Sequence, residues 1–223
     1  EILVGTSTSA PGGKVMISAG ESSGSEGGEV TITSGSASNG RTGNVTLQTG
    51  ISSSNSSAGN IRVLAAEAQE GPGGSISLTA GATIAEEESG GPVVISAGNG
   101  GSGGPVTITG GRGAGYSTGQ GGGVRVEGGS SVGGSGGELV LVAGQSSNST
   151  SGRVDILTPG ANVASGDVNI MTGNSVTNGS GSIILDTGNS AVNSAGSVYI
   201  AVGSSGGTDG GMASMMAYML ARV

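Results

Sequence analysis

Apolar and polar positions alternate along this chain in short segments that recur about every 15 residues. Residues 27–35 read Gly-Gly-Glu-Val-Thr-Ile-Thr-Ser-Gly, with Val30 and Ile32 two positions apart and glycines on both sides. Alternation of period two with β-branched residues is typical of a half-buried strand, and flanking glycines are typical of turns. The segment therefore predicts one short strand followed by a turn.

The unit occurs thirteen times, with 13 to 18 residues between successive copies. The first aliphatic residues of the repeats are Val15, Val30, Val45, Ile61, Ile76, Val93, Val106, Val124, Leu139, Val154, Val168, Ile183 and Val198. A second aliphatic residue follows two positions later in every repeat. A glycine, the leading glycine, stands two positions before the first aliphatic in every repeat. The trailing position, five after it, is also glycine except at Ala66 and Pro159. Ile2 and Val4 form a partial repeat ahead of these.

A repeat of 15 residues buries only two large side chains, so it cannot fold alone, and stacked repeats would share a core and a hydrogen-bond ladder. The pattern thus predicts an all-β, single-domain parallel β-solenoid of about 14 short coils. The position four after the first aliphatic, the small position, holds mainly Ala, Ser, Thr or Gly and is predicted to face inward, which gives a flattened cross-section. A weaker inward row is predicted eight positions after the first aliphatic, at Ser23, Ser38, Ser53, Ile84, Gly101, Ala114, Val132, Ser147, Val176 and Ala191.

The last twelve residues break the repeat pattern. Residues 212–223 contain no glycine and are rich in methionine and other helix formers. Because the ends of a solenoid need covering, we assign residues 1–211 to the repeats and predict that 212–223 form a helical cap or an assembly segment.

Composition narrows the function classes. The chain has no His and no Cys, so no Ser-His or Cys-His nucleophile pair can form and no thiolate metal site exists. We expect no catalytic activity and no cofactor. A net charge of −8 without a basic stripe argues against a nucleic-acid partner. No apolar stretch approaches the roughly 20 residues that span a bilayer.

Charged residues are few, and most are expected to be structural. Glu86, Glu87 and Glu88, with Glu67 and Glu70 one repeat earlier, could offer oxygen ligands to calcium, but a solvated corner is favoured and no metal site is predicted. Residues just before the first aliphatic were expected to pair between adjacent coils and help to fix the register. These are Lys14 with Glu29, and Glu138, Arg153 and Asp167.

Side chains on the outward face of the predicted strands carry the functional alternatives. Three repeats present hydroxyl pairs: Thr31 and Thr33, Ser77 and Thr79, Thr107 and Thr109. Such pairs on repeats of this length resemble those of insect hyperactive antifreeze proteins, which implies ice binding. Other repeats interrupt the row with residues such as Arg62, Arg125 and Tyr199. Later repeats are more apolar on this face, and an apolar strip indicates a protein contact. This candidate assembly face consists of Val140, Val142, Leu157, Met171, Ile184 and Tyr199.

As a whole, the repeat pattern resembles the repeat regions of extracellular and cell-surface β-solenoid proteins. The resemblance implies a structural protein, a rigid rod in an extracellular filament, appendage or matrix that associates with itself or with other structural proteins. Ice binding through the hydroxyl pairs is the first alternative, and a carbohydrate-binding adhesin stalk is the second.

Overall fold

A computed structural model describes residues 2–53, 55–115, 119–207 and 209–215. Within these ranges the chain contains no α-helix and no β-strand, and hence no sheet. The predicted all-β parallel β-solenoid, or β-helix, is therefore wrong. The described part of the repeats is irregular coil interrupted by bends and by one hydrogen-bonded turn at residues 86 and 87.

The backbone hydrogen bonds are local and do not form a ladder between repeats. In a stacked solenoid, an amide would bond to a carbonyl about one repeat away along the chain. Here the amide of the leading glycine turns back to the trailing position of the preceding repeat, as Gly28 does to Gly20 at 2.9 Å. The longest such bond in the described ranges joins Gly122 and Gly111, eleven residues apart. Each of these bonds uses one amide and one carbonyl, and no backbone hydrogen bond joins the aliphatic segments of neighbouring repeats in the described ranges.

Three side-chain pairs within the aliphatic segments join residues two positions apart. Residues two apart on a strand-like backbone lie on the same side. Thr31 Oγ1 donates to Glu29 Oε1 at 2.8 Å. The guanidinium of Arg153 lies 2.8 Å from the Asp155 carboxylate, and Arg125 forms the same kind of pair with Glu127. Arg153 is thus paired within its own segment, whereas we had expected charge stacking between coils.

The described residues form no hydrophobic core. None of the described side chains is buried, and nearly all residues are exposed. The nine least exposed residues are partly covered, and eight of them occupy the small position: Ala19, Thr49, Ala80, Ala97, Gly110, Ala143, Thr158 and Thr187. The small position is therefore the most enclosed point of a repeat, ahead of both aliphatic positions.

The prediction of a second row of inward residues is wrong. Ile84, Val132 and Val176, the larger members of that row, are fully exposed. They lie in the loops between a trailing residue and the next leading glycine, where no wall of a coil exists to receive them. The flattened cross-section predicted from the small position and this row is wrong as well, because the described residues form no strand from which a coil could be built.

The chain divides into two compact units, Glu1–Ile108 and Thr109–Val223. In the first unit, five glycine-closed loops lie between Gly20 and Gly104. In the second, three lie between Gly111 and Gly152. Met212–Met215 are described and are not helical, while the rest of the predicted cap, residues 216–223, lies outside the described residues.

Candidate functional site: glycine clamps and the uncharged face

Eight repeats are closed by one recurring backbone hydrogen bond, which we call the glycine clamp. In each clamp, the amide of a leading glycine donates to the carbonyl oxygen of the preceding trailing residue, with N···O distances of 2.7 to 3.1 Å. The pairs are Gly28–Gly20, Gly43–Gly35, Gly74–Ala66, Gly91–Gly81, Gly104–Gly98, Gly122–Gly111, Gly137–Gly129 and Gly152–Gly144. The clamp thus joins the two positions that the sequence keeps almost invariably as glycine.

The two glycines of a clamp are required to different degrees. A Cβ built on Gly28 would lie 3.1 Å from the Gly20 nitrogen and 3.2 Å from the Ala19 Cβ, whereas one built on Gly20 would meet nothing within 4 Å. The leading glycines Gly43, Gly74, Gly122, Gly137 and Gly152 are similarly crowded, with the nearest atom 2.8 to 3.3 Å from a built Cβ, whereas Gly91 and Gly104 would make only ordinary contacts at 3.6 and 3.7 Å. Space therefore favours glycine at most leading positions, while the trailing position accepts Ala66 and keeps its clamp bond at 3.1 Å.

The need for glycine is one of space. None of the described glycines has a positive φ. We had interpreted these glycines as turn residues, whose usual advantage is access to the left-handed region. In this chain the leading glycine is needed instead because its backbone lies directly against the small residue of the preceding repeat.

The residue at the small position correlates with whether a clamp forms. All eight clamps follow a small position occupied by Gly, Ala or Ser. No clamp bond is described after the six repeats in which that position is Thr or Val: Val4, Thr49, Thr158, Thr172, Thr187 and Val202. In the described ranges, no clamp therefore follows a repeat whose small position holds a β-branched residue.

The geometry gives a reason for this correlation. In the unclamped repeats, a γ-methyl group of the small residue faces the leading glycine. Thr172 Cγ2 lies 3.4 Å, and Thr49 Cγ2 3.5 Å, from the Cβ position of the next leading glycine. A β-branched side chain holds its γ groups rigidly, so it keeps the glycine amide away from the trailing carbonyl. Alanine and serine leave that space open.

A second hydrogen bond shapes the loop inside several clamps. Seven positions after the first aliphatic, a serine Oγ accepts a hydrogen bond from the amide three residues further on. Ser22, Ser131 and Ser146 do so at 2.9 to 3.1 Å inside clamped loops, and Ser7, Ser175 and Ser190 do so at 3.0 to 3.2 Å in unclamped ones. Such serine turns are a common local alternative to regular structure. The strand-and-turn pattern does not predict these bonds, although the recurring position of the serines after the aliphatic pair is visible in the sequence.

The aliphatic pairs form an exposed face. The first aliphatic residues are 50 to 60% exposed, and the second are 62 to 75% exposed. Together with the small positions they occupy alternate sites of an extended segment, and none of these sites carries a charge in any repeat. We call this set the uncharged face. The charged pairs Arg125–Glu127 and Arg153–Asp155 occupy the intervening positions.

The predicted assembly face lies on those intervening positions in the later repeats. Its members are also exposed, from 59% at Val140 to 88% at Tyr199. Since the aliphatic pair beside them is exposed as well, segments such as 139–142 present apolar side chains on both sides. The structure therefore offers two apolar faces there, where we had expected one face and a core.

The described residues of the remaining candidate sites are not arranged in a way that would bind a ligand. Thr31 is bonded to Glu29, as above, and no sheet in the described residues arranges the hydroxyl pairs on one flat surface. Glu86 and Glu87 lie in a turn closed by the Glu88 amide and the Ala85 carbonyl at 3.3 Å. The described part of the chain contains no group of side chains that could hold a metal ion and no pocket. It also contains no helix that could cross a membrane.

Arg125 and Glu127 form an exposed ion pair. The side-chain hydrogen bond to Glu127 raises the pKa of Arg125, which is charged in any case at physiological pH. Both groups are exposed to solvent, so the pair contributes little to stability.

Comparison with known proteins gives no relative. No protein-family model, no curated protein and no solved structure matches this sequence.

Proposed function

We propose that this protein is a structural, self-assembling repeat protein whose copies associate through the uncharged face. The observation that carries the proposal is that both aliphatic residues of every repeat are at least half exposed. Burying the remainder of such a side chain against a neighbour contributes on the order of 1 kcal/mol. Thirteen repeats offer twenty-six of these side chains, so many small gains add along the chain.

The accessible surface supports the same proposal. The chain exposes 22527 Å², whereas a folded monomer of 20.7 kDa is expected to expose roughly 8,900 Å². A stable interface buries only about 1,200 to 2,000 Å². The single chain therefore retains far more surface than one interface needs, and several neighbours can be accommodated.

A second copy of the same chain is the partner that fits best. The uncharged face recurs with nearly constant spacing, so an identical chain presents a matching aliphatic pair at every repeat. A net charge of −8 opposes close approach. No charged residue stands at a position of the uncharged face, however, and the charges at the intervening positions and in the loops are screened within about 8 Å at physiological salt. Assembly into an extracellular filament, appendage or matrix, without catalytic activity, is the role we infer.

Paired substitutions on the two sides of the same segments test the proposal. We expect Ile156→Asp with Ile170→Asp to abolish concentration-dependent association, because both charges enter the uncharged face. The matched variant, Leu157→Asp with Met171→Asp, places the same charges on the neighbouring positions and is expected to weaken association less. Sedimentation velocity and electron microscopy over a concentration series measure this. Dispersed wild-type monomers at the highest concentration would refute self-assembly, and a stronger effect of the control pair would move the contact to the predicted assembly face.

The two alternative functions remain predictions. Ice binding requires the hydroxyl pairs to share a flat surface, and the described residues offer no sheet for it. Carbohydrate binding requires a groove or aromatic platform, and Tyr199 is the single aromatic residue among those described. No observation favours either function over assembly.

A further inference from the structure

We propose that the glycine clamps give this protein a reserve of length that is released under tension and recovered when tension falls. This function is independent of self-assembly, because each clamp lies within one chain. The inference rests on three observations: the clamps are local, three of them enclose a serine turn, and the chain itself contains repeats with and without clamps.

Because each clamp closes a single short loop, the clamps can open one at a time. Each clamp closes a loop whose ends are six to eleven residues apart, and eight residues is the most frequent separation. No backbone hydrogen bond in the described ranges connects one clamp to another. Opening one clamp therefore leaves its neighbours closed, and the chain lengthens in small steps without a cooperative rupture.

The serine turns favour reclosure. Inside the loop from Gly144 to Gly152, the Ser149 amide bonds to Ser146 Oγ at 3.0 Å. Inside the loop from Gly20 to Gly28, the Ser25 amide bonds to Ser22 Oγ at 3.1 Å. This inner turn spans only three residues, so stretching the loop ends apart need not undo it at once. A loop that keeps its bend returns the two glycines to bonding distance with less loss of chain entropy.

The released length per clamp can be estimated. Eight residues extend to about 26–29 Å at most, whereas the ends of a closed clamp are held together by an N···O bond of about 3 Å. Each opened clamp thus adds roughly 20 Å. All eight clamps lie between Gly20 and Gly152, so the reserve belongs to the earlier repeats, and the unclamped repeats after Thr158 act as permanently open spacers.

Substitutions at the small position can test the proposal by removing clamps and by adding them. A loss variant replaces Ala19, Ala65, Ala80, Ala97 and Ala143 by Thr, and is expected to open five clamps. A gain variant replaces Thr49, Thr158, Thr172 and Thr187 by Ala, and is expected to close up to four more. Both are compared with the wild type as single full-length chains held between optical traps, where no second copy is present.

We expect the loss variant, the wild type and the gain variant to differ in end-to-end length. At forces too low to open the clamps, the loss variant is longer than the wild type by less than the roughly 100 Å that five fully extended loops would add, and the gain variant is shorter. At high force the three curves converge, because the contour lengths are equal. Stretching and relaxation curves should superimpose, since the clamps close rapidly. Coincident curves at all forces would overturn the proposal, and so would a single abrupt lengthening at one force. Failure to self-assemble would leave this result unchanged, which separates the two proposals.

Discussion

The amide of Gly28 donates a 2.9 Å hydrogen bond to the carbonyl of Gly20 across an eight-residue loop. The bond forms over Ala19, whose Cβ would lie 3.2 Å from any Cβ placed on Gly28. One small side chain and one glycine backbone thus lie close together beside the hydrogen bond. The hydrogen bond recurs in seven further repeats and is the most regular feature of the described chain.

Replacing Ala143 by Thr is expected to open the clamp between Gly152 and Gly144, because the γ-methyl group would occupy the space against the leading glycine. One hydrogen bond contributes about 0.5–1.5 kcal/mol net, so exchange of the Gly152 amide should accelerate by up to about tenfold. Ala143→Ser is the control and should retain the bond, as Ser34 does before Gly35. Amide exchange followed by NMR measures both variants, and equal protection in Ala143→Thr and the wild type would contradict the steric explanation.

The opposite substitution should create a clamp where none exists. Thr172→Ala removes the methyl group that lies 3.4 Å from the Cβ position of Gly181, so the Gly181 amide can reach Gly173. We expect slower exchange at Gly181, by a factor similar to that lost in Ala143→Thr. Thr172→Val keeps the branching at Cβ and should change nothing. If Gly181 stays unprotected in Thr172→Ala, branching at the small position is not what controls closure.

The two glycines of one clamp should respond differently to the same change. Gly137→Ala brings a Cβ to 2.8 Å from the Gly129 nitrogen, closer than real contacts allow, and is expected to break the clamp. Gly129→Ala meets nothing within 4 Å and should preserve it. Both substitutions restrict the unfolded chain equally, so the comparison isolates the contact. Exchange rates at residue 137 distinguish the outcomes, and equal loss in both variants would show that glycine is needed for backbone freedom instead.

The serine turn should contribute independently of the clamp. Ser146→Ala removes the acceptor of the Ser149 amide, which is bonded at 3.0 Å. Exchange at Ser149 should rise by about two- to tenfold, and the Gly152 clamp should become less protected to a smaller extent because its loop is less preformed. Ser147→Ala, one residue along, serves as the matched control. Unchanged amide exchange at Ser149 in Ser146→Ala would contradict a stabilising role for the serine turn.

Self-association should strengthen as the pH falls towards the isoelectric point. The chain carries 15 carboxylates against 7 Lys and Arg residues, a net charge of −8 at pH 7, and its isoelectric point is near 4.3. Protonation of carboxylates on acidification removes negative charge while the basic groups stay positive, so repulsion between copies decreases. Light scattering should therefore increase from pH 7 to about 4.3, and added salt at pH 7 should partly reproduce the increase. Weaker scattering at the lower pH would contradict association through an uncharged face.

The repeat itself could be predicted from the sequence, and the arrangement of its backbone could not. The period of about 15 residues and the alternation around Val30 and Ile32 are visible in the sequence, and period-two patterning predicts a strand there. The same pattern suits a strand in a sheet equally well, so it could not reveal whether neighbouring segments pair. The all-β prediction went wrong at that point.

The sequence by itself determined which positions must be glycine, which must be small and which must be uncharged, because those requirements are visible in thirteen copies of one unit. Only the tertiary structure decided what the glycines do. In it the Gly28 amide turns back over eight residues to Gly20, where a solenoid would have sent it one repeat onward. The physical reason is that a backbone amide can satisfy its hydrogen bond with either partner, and a composition of small residues leaves the nearer carbonyl within reach. Where the methyl group of Thr172 fills that space, the Gly181 amide does not bond to the Gly173 carbonyl. Only the three-dimensional contact shows this difference between repeats.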